Sequence, residues 1–298
     1  MIRRYRIVHR TQYRYSDEVT SSYGRGFLTP RDTDRQRCVH HELRINPEPA
    51  DRSTSRDGYG NISTYFHVTT PHRELSVTSA SVVEVDPIPP QLYSAGPAIA
   101  AWESARPTAV TGALATEFSL DLQPPEITDA VRDYAAPSFP PGRRLIDALG
   151  DLSSRICADF TYRSGSTTVS TLVDEVLAAR EGVCQDFARL AIACLRANGL
   201  AASYVSGYLA TDPPPGGQRL VGLDATHAWA AVWTPGDRWL GLDPTNHQMV
   251  DERFIVVGWG RDYADVAPLR GIIYTDSERS AIDVSVDVEP FKGDVVHA

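Results

Sequence analysis

The run Glu181-Gly182-Val183-Cys184-Gln185-Asp186-Phe187 places a thiol where a helix has to begin. Gly182 breaks any helix before it, and an apolar period of helical spacing restarts at Phe187. A cysteine at a helix N-terminus meets unpaired backbone N–H groups and the positive end of the helix dipole, which together stabilise a thiolate. Those N–H groups can also bind the oxyanion formed on an attacked carbonyl. The other reading of Cys184 is a small buried residue in a tight loop. Cys38, Cys157 and Cys194 have no sequence neighbours that would activate them and read as structural.

A nucleophilic thiol needs a base, and the base needs an orienting group. Asp224-Ala225-Thr226-His227-Ala228-Trp229-Ala230-Ala231-Val232-Trp233 reads as a strand with a histidine near its start. Thr234-Pro235-Gly236-Asp237 reads as a turn, and Arg238-Trp239-Leu240-Gly241-Leu242-Asp243 as the returning strand of a hairpin. A loop centred on Pro235 sets His227 directly opposite Asp243, with Cβ atoms about 4.5–5.5 Å apart. The pairing requires an odd-numbered loop or a bulge, because an even one puts the two side chains on opposite faces. Taken singly, His227 reads equally as a strand-edge histidine and Asp243 as a turn-former before Pro244.

The elements around these residues fall into two groups. Residues 5–15, 41–45, 61–68 and 74–85 alternate in the manner of strands, the first ending at Ser16-Asp17. They predict a small all-β domain over residues 1–86, followed by a Pro- and Ala-rich linker over 87–125. Helical spacing predicts helices over 126–134, 143–158, 172–180 and 184–198, the last burying Phe187, Leu190, Ala191, Cys194 and Leu195 on one face. Strands resume at 203–209, an exposed loop is expected at 213–217, and further strands run to about residue 275. The second unit, 126–282, is thus helices first and antiparallel strands after, an α+β layout, with 283–298 left as an acidic tail.

Composition narrows the functional classes. Twenty-nine Lys and Arg against 38 Asp and Glu give a net charge of −9 over 298 residues, without a basic block. That balance argues against nucleic acid and anionic membrane as partners. An apolar content of 42% is ample for a core, and neither a secretory signal nor a membrane-length apolar run is seen, so a cytoplasmic location is expected. Four cysteines in so long a chain do not make a disulfide framework. Cys38-Val39-His40-His41 is a poor metal motif: adjacent histidines on a strand point to opposite faces, and no second pair has zinc spacing. No phosphate-cradling glycine loop, Gly-x-Ser-x-Gly elbow or EF-hand loop is present, so no cofactor and no metal is expected.

Gly-Val-Cys-Gln-Asp-Phe-Ala at a helix start, then Thr-His-Ala-Trp, then Gly-Leu-Asp-Pro-Thr, in that order, resembles the transglutaminase-like superfamily. The wording around 204–209 and 260–266 is similar to its bacterial two-domain branch, which carries a β-rich N-terminal domain. The resemblance implies a papain-like or transglutaminase-like core with helices packed on an antiparallel sheet. It implies Cys184 as nucleophile, His227 as general base and acid, and Asp243 as orienting carboxylate, acting on a peptide or protein amide through a thioester. Members of this superfamily include transglutaminases, peptidases, amidases and deglycosylating enzymes, so either an acyltransferase or a hydrolase is implied. A fold-retaining but silent peptide-binding module is the alternative.

Tyr162 is a candidate oxyanion donor, since the superfamily often has an aromatic donor upstream of the cysteine; it reads otherwise as a core or rim tyrosine. Gln185, beside the thiol, is a further candidate for contact with substrate or oxyanion. Trp229 shares the His227 face by parity and can wall a substrate groove or simply pack in the core, and Trp239 stands in the same position relative to Asp243. Asp186 reads as a helix cap. Oligomeric state is not legible.

Overall fold

The computed structural model describes residues 2–211, 226–276 and 279–290. Its first sheet is built around one long strand, β1 (Arg3–Gly26). Alternation buries Tyr5, Ile7, His9 and Thr11 on one side while Arg6, Val8 and Arg10 face out. β2 (Gln36–Asn46), β3 (Asp51–Arg56), β4 (Ile62–Val68) and β5 (His72–Val85) complete the order β2-β5-β1-β4-β3. The strand does not stop at Ser16-Asp17 as expected from sequence. Its pairing with β5 slips between Arg14 and Val19, and β1 then continues to Gly26 against β4.

The chain returns to this sheet at its other end. β13 (Leu269–Thr275) and β14 (Ser280–Pro290) both pair antiparallel with β1, with Ile7 opposite Val288 and His9 opposite Val286. The expected acidic tail from 283 is therefore strand up to Pro290, because Val284, Val286 and Val288 alternate with the acidic residues. The segment expected as a linker is also packed. It carries the short helix α1 (Gln91–Ser94) and several 3₁₀ turns, and it buries Trp102 and Phe118. Trp102 joins the main helical core and Phe118 packs beside Trp233.

The second unit contains α2 (Asp129–Ala135), α3 (Leu145–Asp159), β6 (Thr161–Tyr162), α4 (Val173–Ala179), β7 (Glu181–Gly182) and α5 (Cys184–Ala197). There follow β8 (Ala202–Leu209), β9 (Thr226–Thr234), β10 (Arg238–Asp243), β11 (Gln248–Met249) and β12 (Phe254–Gly260), forming a sheet of order β11-β10-β9-β8-β12. All its neighbours are antiparallel. The expected 213–217 loop lies outside the described residues. The mixed α+β architecture follows the sequence pattern: strands first, then helices packed on an antiparallel sheet.

Helix α5 is buried all round from Asp186 to Arg196, not on one face alone. Two arginines make that possible. Arg196 donates from Nε to Phe118 O (2.9 Å) and from Nη2 to Ala202 O (2.9 Å) and Arg261 O (2.7 Å). Arg189 pairs with buried Glu126 and donates to Thr171 O at 2.9 Å, with Asp262 beside its Nε. Each thereby ties α5 to segments far away in the chain. The two sheets meet where Tyr5, Ile7, Val83, Val286 and Val288 pack on Tyr208, Ile255 and Val257. Within that contact His9 Nδ1 lies 3.0 Å from the Tyr208 hydroxyl.

Candidate active site

The chain reaches Cys184 through a constrained approach. β6 and β7 pair in parallel, Tyr162 beside Gly182, and Val183 is extended before the helix turns at Cys184. The Asp186 carboxylate folds back to accept from Val183 N–H (2.8 Å) and from Thr167 Oγ1 (2.6 Å), the cap expected from sequence. That return is why residue 182 is glycine: a Cβ there would stand 2.9 Å from Asp186 Oδ2 and 3.0 Å from Asp186 Cβ. Cys184 is half-buried on the first turn, its Sγ 4.0 Å from Thr226 O, the residue before His227.

His227 hydrogen-bonds through Nε2 to Asp243 Oδ2 at 2.8 Å, and Cys184 is near enough to help raise the pKa of the same imidazole. With Nε2 turned to the carboxylate, Nδ1 is the nitrogen left for the sulfur. The three residues are thus brought together in the order thiol, imidazole, carboxylate. The hairpin register differs from the expected one. Thr234 pairs with Arg238 and Ala230 with Leu242, so the three-residue loop centres on Gly236 rather than Pro235. Asp243 consequently sits diagonal to His227, not directly opposite. An odd loop keeps both on one face, and diagonal neighbours remain within reach of long side chains. Left-handed backbone at Gly236 (φ 88°) and Asp237 (φ 55°) allows this loop to close.

Asp243 is fully buried and its four lone-pair sites are occupied. Oδ2 accepts from His227 and from Asn246 Nδ2 (2.7 Å), and Oδ1 accepts the backbone N–H groups of Thr245 (3.0 Å) and Asn246 (3.3 Å). Burial alone would raise its pKa, but these hydrogen bonds and the imidazole charge hold it below the usual carboxylate range. Burial alone would likewise lower the His227 pKa; hydrogen bonds and charge from Asp243 and Cys184 raise it to about 10. Burial pushes the Cys194 thiol to about 12 and the Cys38 thiol to about 11, in keeping with structural roles.

The outer candidates divide. Tyr162 is 52% exposed at the rim, its ring 6.3 Å from that of Phe187, and its pKa is raised by burial and by the nearby Cys184 and Asp186. It is not a core tyrosine. Gln185 is half-buried beside the thiol. Trp229 is buried, with its ring 6.1 Å from the His227 ring, and Phe254 closes a triangle at 6.0 Å from His227 and 5.2 Å from Trp229. Asn246, Thr167 and Phe254 were not anticipated. An Asp followed at two and three residues by N–H donors is an Asx-turn pattern, so Thr245 and Asn246 could have been found from it. Among the described residues no group of three His, Cys, Asp or Glu side chains is placed to hold a metal ion, and no helix is long and apolar enough to cross a membrane.

An uncharacterized protein of Mycobacterium tuberculosis is 74% identical over 99% of this chain and 95% of its own. A protein-glutamine gamma-glutamyltransferase of Pseudomonas aeruginosa is 34% identical over 96 residues, covering 32% of this chain and 14% of that one. A solved structure from Cytophaga hutchinsonii, described as a candidate cysteine protease, superposes with a TM-score of 0.71 at 19% identity, covering 99% of this chain and 95% of that chain. At that identity it establishes the shared fold. Residues 5–84 match the bacterial transglutaminase-like N-terminal region and residues 139–244 the transglutaminase-like superfamily. The chain belongs to the transglutaminase-like superfamily, in the form that carries the bacterial transglutaminase-like N-terminal region.

Proposed function

We propose that the chain carries out thiol-dependent amide chemistry, with Cys184 as nucleophile, His227 as proton carrier and Asp243 as its orienting carboxylate. The observation that carries this reading is the His227 imidazole hydrogen-bonded to buried Asp243, with the Cys184 thiol at the start of α5 lying 4.0 Å from the carbonyl of Thr226, the residue before that histidine. An imidazole with a raised pKa is a ready acceptor for the proton that the thiol gives up. The thiolate attacks an amide carbonyl. Backbone N–H groups at the start of α5 are the proposed donors to the oxyanion, with Tyr162 and Gln185 as candidate side-chain contacts. Imidazolium then gives its proton to the departing amine, leaving a thioester on Cys184. An incoming amine or water is deprotonated by His227, attacks the thioester and releases the thiolate. An amine acceptor makes the enzyme a transglutaminase-type acyltransferase, and water makes it a peptidase or amidase.

The substrate is a peptide or protein amide, with no part for nucleic acid or membrane. Four free thiols fit the cytoplasm, which we propose as the compartment. The test is to incubate the protein with glutamine-containing peptides, with and without a primary amine, and to measure the mass of the Cys184 peptide. A trapped acyl adduct on Cys184, absent in Cys184→Ala, supports the proposal, and amine incorporation or peptide cleavage then assigns the acceptor. Peptide binding with neither adduct nor product overturns it in favour of a silent binding module.

A further inference from the structure

The five-stranded sheet is filled differently on its two faces. Ala228, Ala230 and Val232 of β9 join the helical core around α5, whereas Trp229 and Ala231 turn the other way. On that other face a cavity of about 730 Å³ lies between the sheet, the 31–35 segment after β1 and the 89–93 segment around α1. Sites for small molecules typically span about 300–1,000 Å³. Neither Cys184 nor Asp243 lines this cavity. Trp229 of its wall has its ring 6.1 Å from that of His227. The space exists because the N-terminal region folds over the sheet.

Its lining is chemically specific. Three of the chain's 5 tryptophans, Trp229, Trp239 and Trp259, contribute to the walls. Arg31 is 9% exposed, with its guanidinium 3.2 Å from the centre of the Trp259 ring. Its Nη1 donates to Tyr59 O (3.0 Å) and Asn61 Oδ1 (2.7 Å), and its Nε is buried without a partner. Buried charges ordinarily find a counter-charge. Here the counter-charge acts only at one remove, through Asp57, which accepts from Asn61 Nδ2 at 2.8 Å; among the described residues Arg31 forms no direct ion pair, and neither do Arg35 and Arg238, which share the lining. Asp34 on the same rim is also without a cationic partner, while Asp32 and Asp237 accept from Cys38 N–H (2.8 Å) and Trp233 Nε1 (3.0 Å). Cations and carboxylates therefore surround an aromatic space without neutralising each other.

We propose that this cavity binds a small zwitterion, a free amino acid or dipeptide with an apolar or aromatic side chain, at a site separate from the Cys184 centre. The carboxylate of the ligand meets the arginines, its ammonium meets the aspartates, and its side chain lies among the tryptophans. The proposal does not depend on Cys184 being catalytic.

Tryptophan fluorescence supplies the test, because the wall residues are the reporters. The full chain is titrated with L-phenylalanylglycine and, in parallel, with the uncharged N-acetyl-L-phenylalaninamide. The expected result is saturable binding of the dipeptide, much weaker binding of the neutral compound, and the same dipeptide affinity after Cys184 has been alkylated. Arg238→Glu, at an exposed position, should weaken dipeptide binding by about fivefold or more without shifting Tm. Absence of saturation, equal affinity for the neutral compound, indifference to Arg238→Glu, or loss of binding on Cys184 alkylation would each overturn the proposal.

Discussion

Replacing Asp243 by Asn keeps the shape of the buried side chain and removes its charge. Oδ1 of Asp243 is fixed by two backbone N–H groups that cannot turn, those of Thr245 and Asn246. The amide oxygen of the substituted residue must take that place, which puts its NH₂ where Oδ2 now accepts from His227 and Asn246 Nδ2. Two donors then face a donor. The Asn246 amide can rotate to offer its oxygen, but His227 can only respond by presenting an unprotonated Nε2. The imidazole is thereby driven to the neutral form with its proton on Nδ1, the nitrogen needed by the thiol. Loss of a hydrogen bond to a charged group costs about 1.5–3 kcal/mol, and at about 1.36 kcal/mol per pKa unit this lowers the His227 pKa by roughly one to two units. The starting value is about 10. Ring ¹⁵N shifts of His227 followed against pH by NMR read both the titration midpoint and the tautomer. A fall in midpoint together with a neutral Nδ1–H form is the expected outcome. An unchanged midpoint, or a neutral form still protonated on Nε2, would refute the assigned role of Asp243.

Three further outcomes follow from the same geometry. Glu126→Ala leaves the buried Arg189 guanidinium without its main counter-charge, and urea unfolding should show a loss of about 3–5 kcal/mol; a loss below 1 kcal/mol would mean that Asp262 and Thr171 suffice. Gly182→Ala forces its Cβ against Asp186 and should cost about 1–3 kcal/mol while slowing Cys184 chemistry, read by thermal melts and alkylation on one sample. The His227 pKa is raised on folding, so the stability it contributes is complete below its unfolded value of about 6.5 and is lost as pH rises through about 10. Urea midpoints measured from neutral pH upward should therefore fall in the wild type and stay flatter in His227→Gln.

Much of the site was legible because its chemistry is written in short local runs. The helix start at Cys184, the strand start at His227 and the turn at Asp243 each have their own punctuation; parity put Trp229 on the face of His227, and Asp243 joined them on the condition of an odd-numbered loop. The register was misjudged because Pro235 looks like the pivot, whereas the left-handed pair Gly236-Asp237 closes the loop. What stayed hidden is long-range or compensated. β3 reads Asp-Arg-Ser-Thr-Ser-Arg and is exposed throughout, so it has no apolar period to betray a strand. Arg189 and Arg196 are buried in α5, where their charges are met by Glu126 and by carbonyls remote in sequence that no local run announces. Trp102 and Phe118 sit among Pro, Ala and Ser, which masked the packing of the supposed linker. β13 and β14 return across the length of the chain to pair with β1, a connection that only the folded sheet reveals.

The central claim is that His227 activates Cys184. Alkylation by iodoacetamide, with each cysteine followed separately by peptide mass against pH, tests it most directly in wild type and His227→Ala. The account predicts rapid labelling of Cys184 at neutral pH, far ahead of buried Cys194, and a marked slowing of Cys184 alone in the variant. Labelling of Cys184 at a rate equal to that of Cys194, or unaffected by loss of His227, would contradict it.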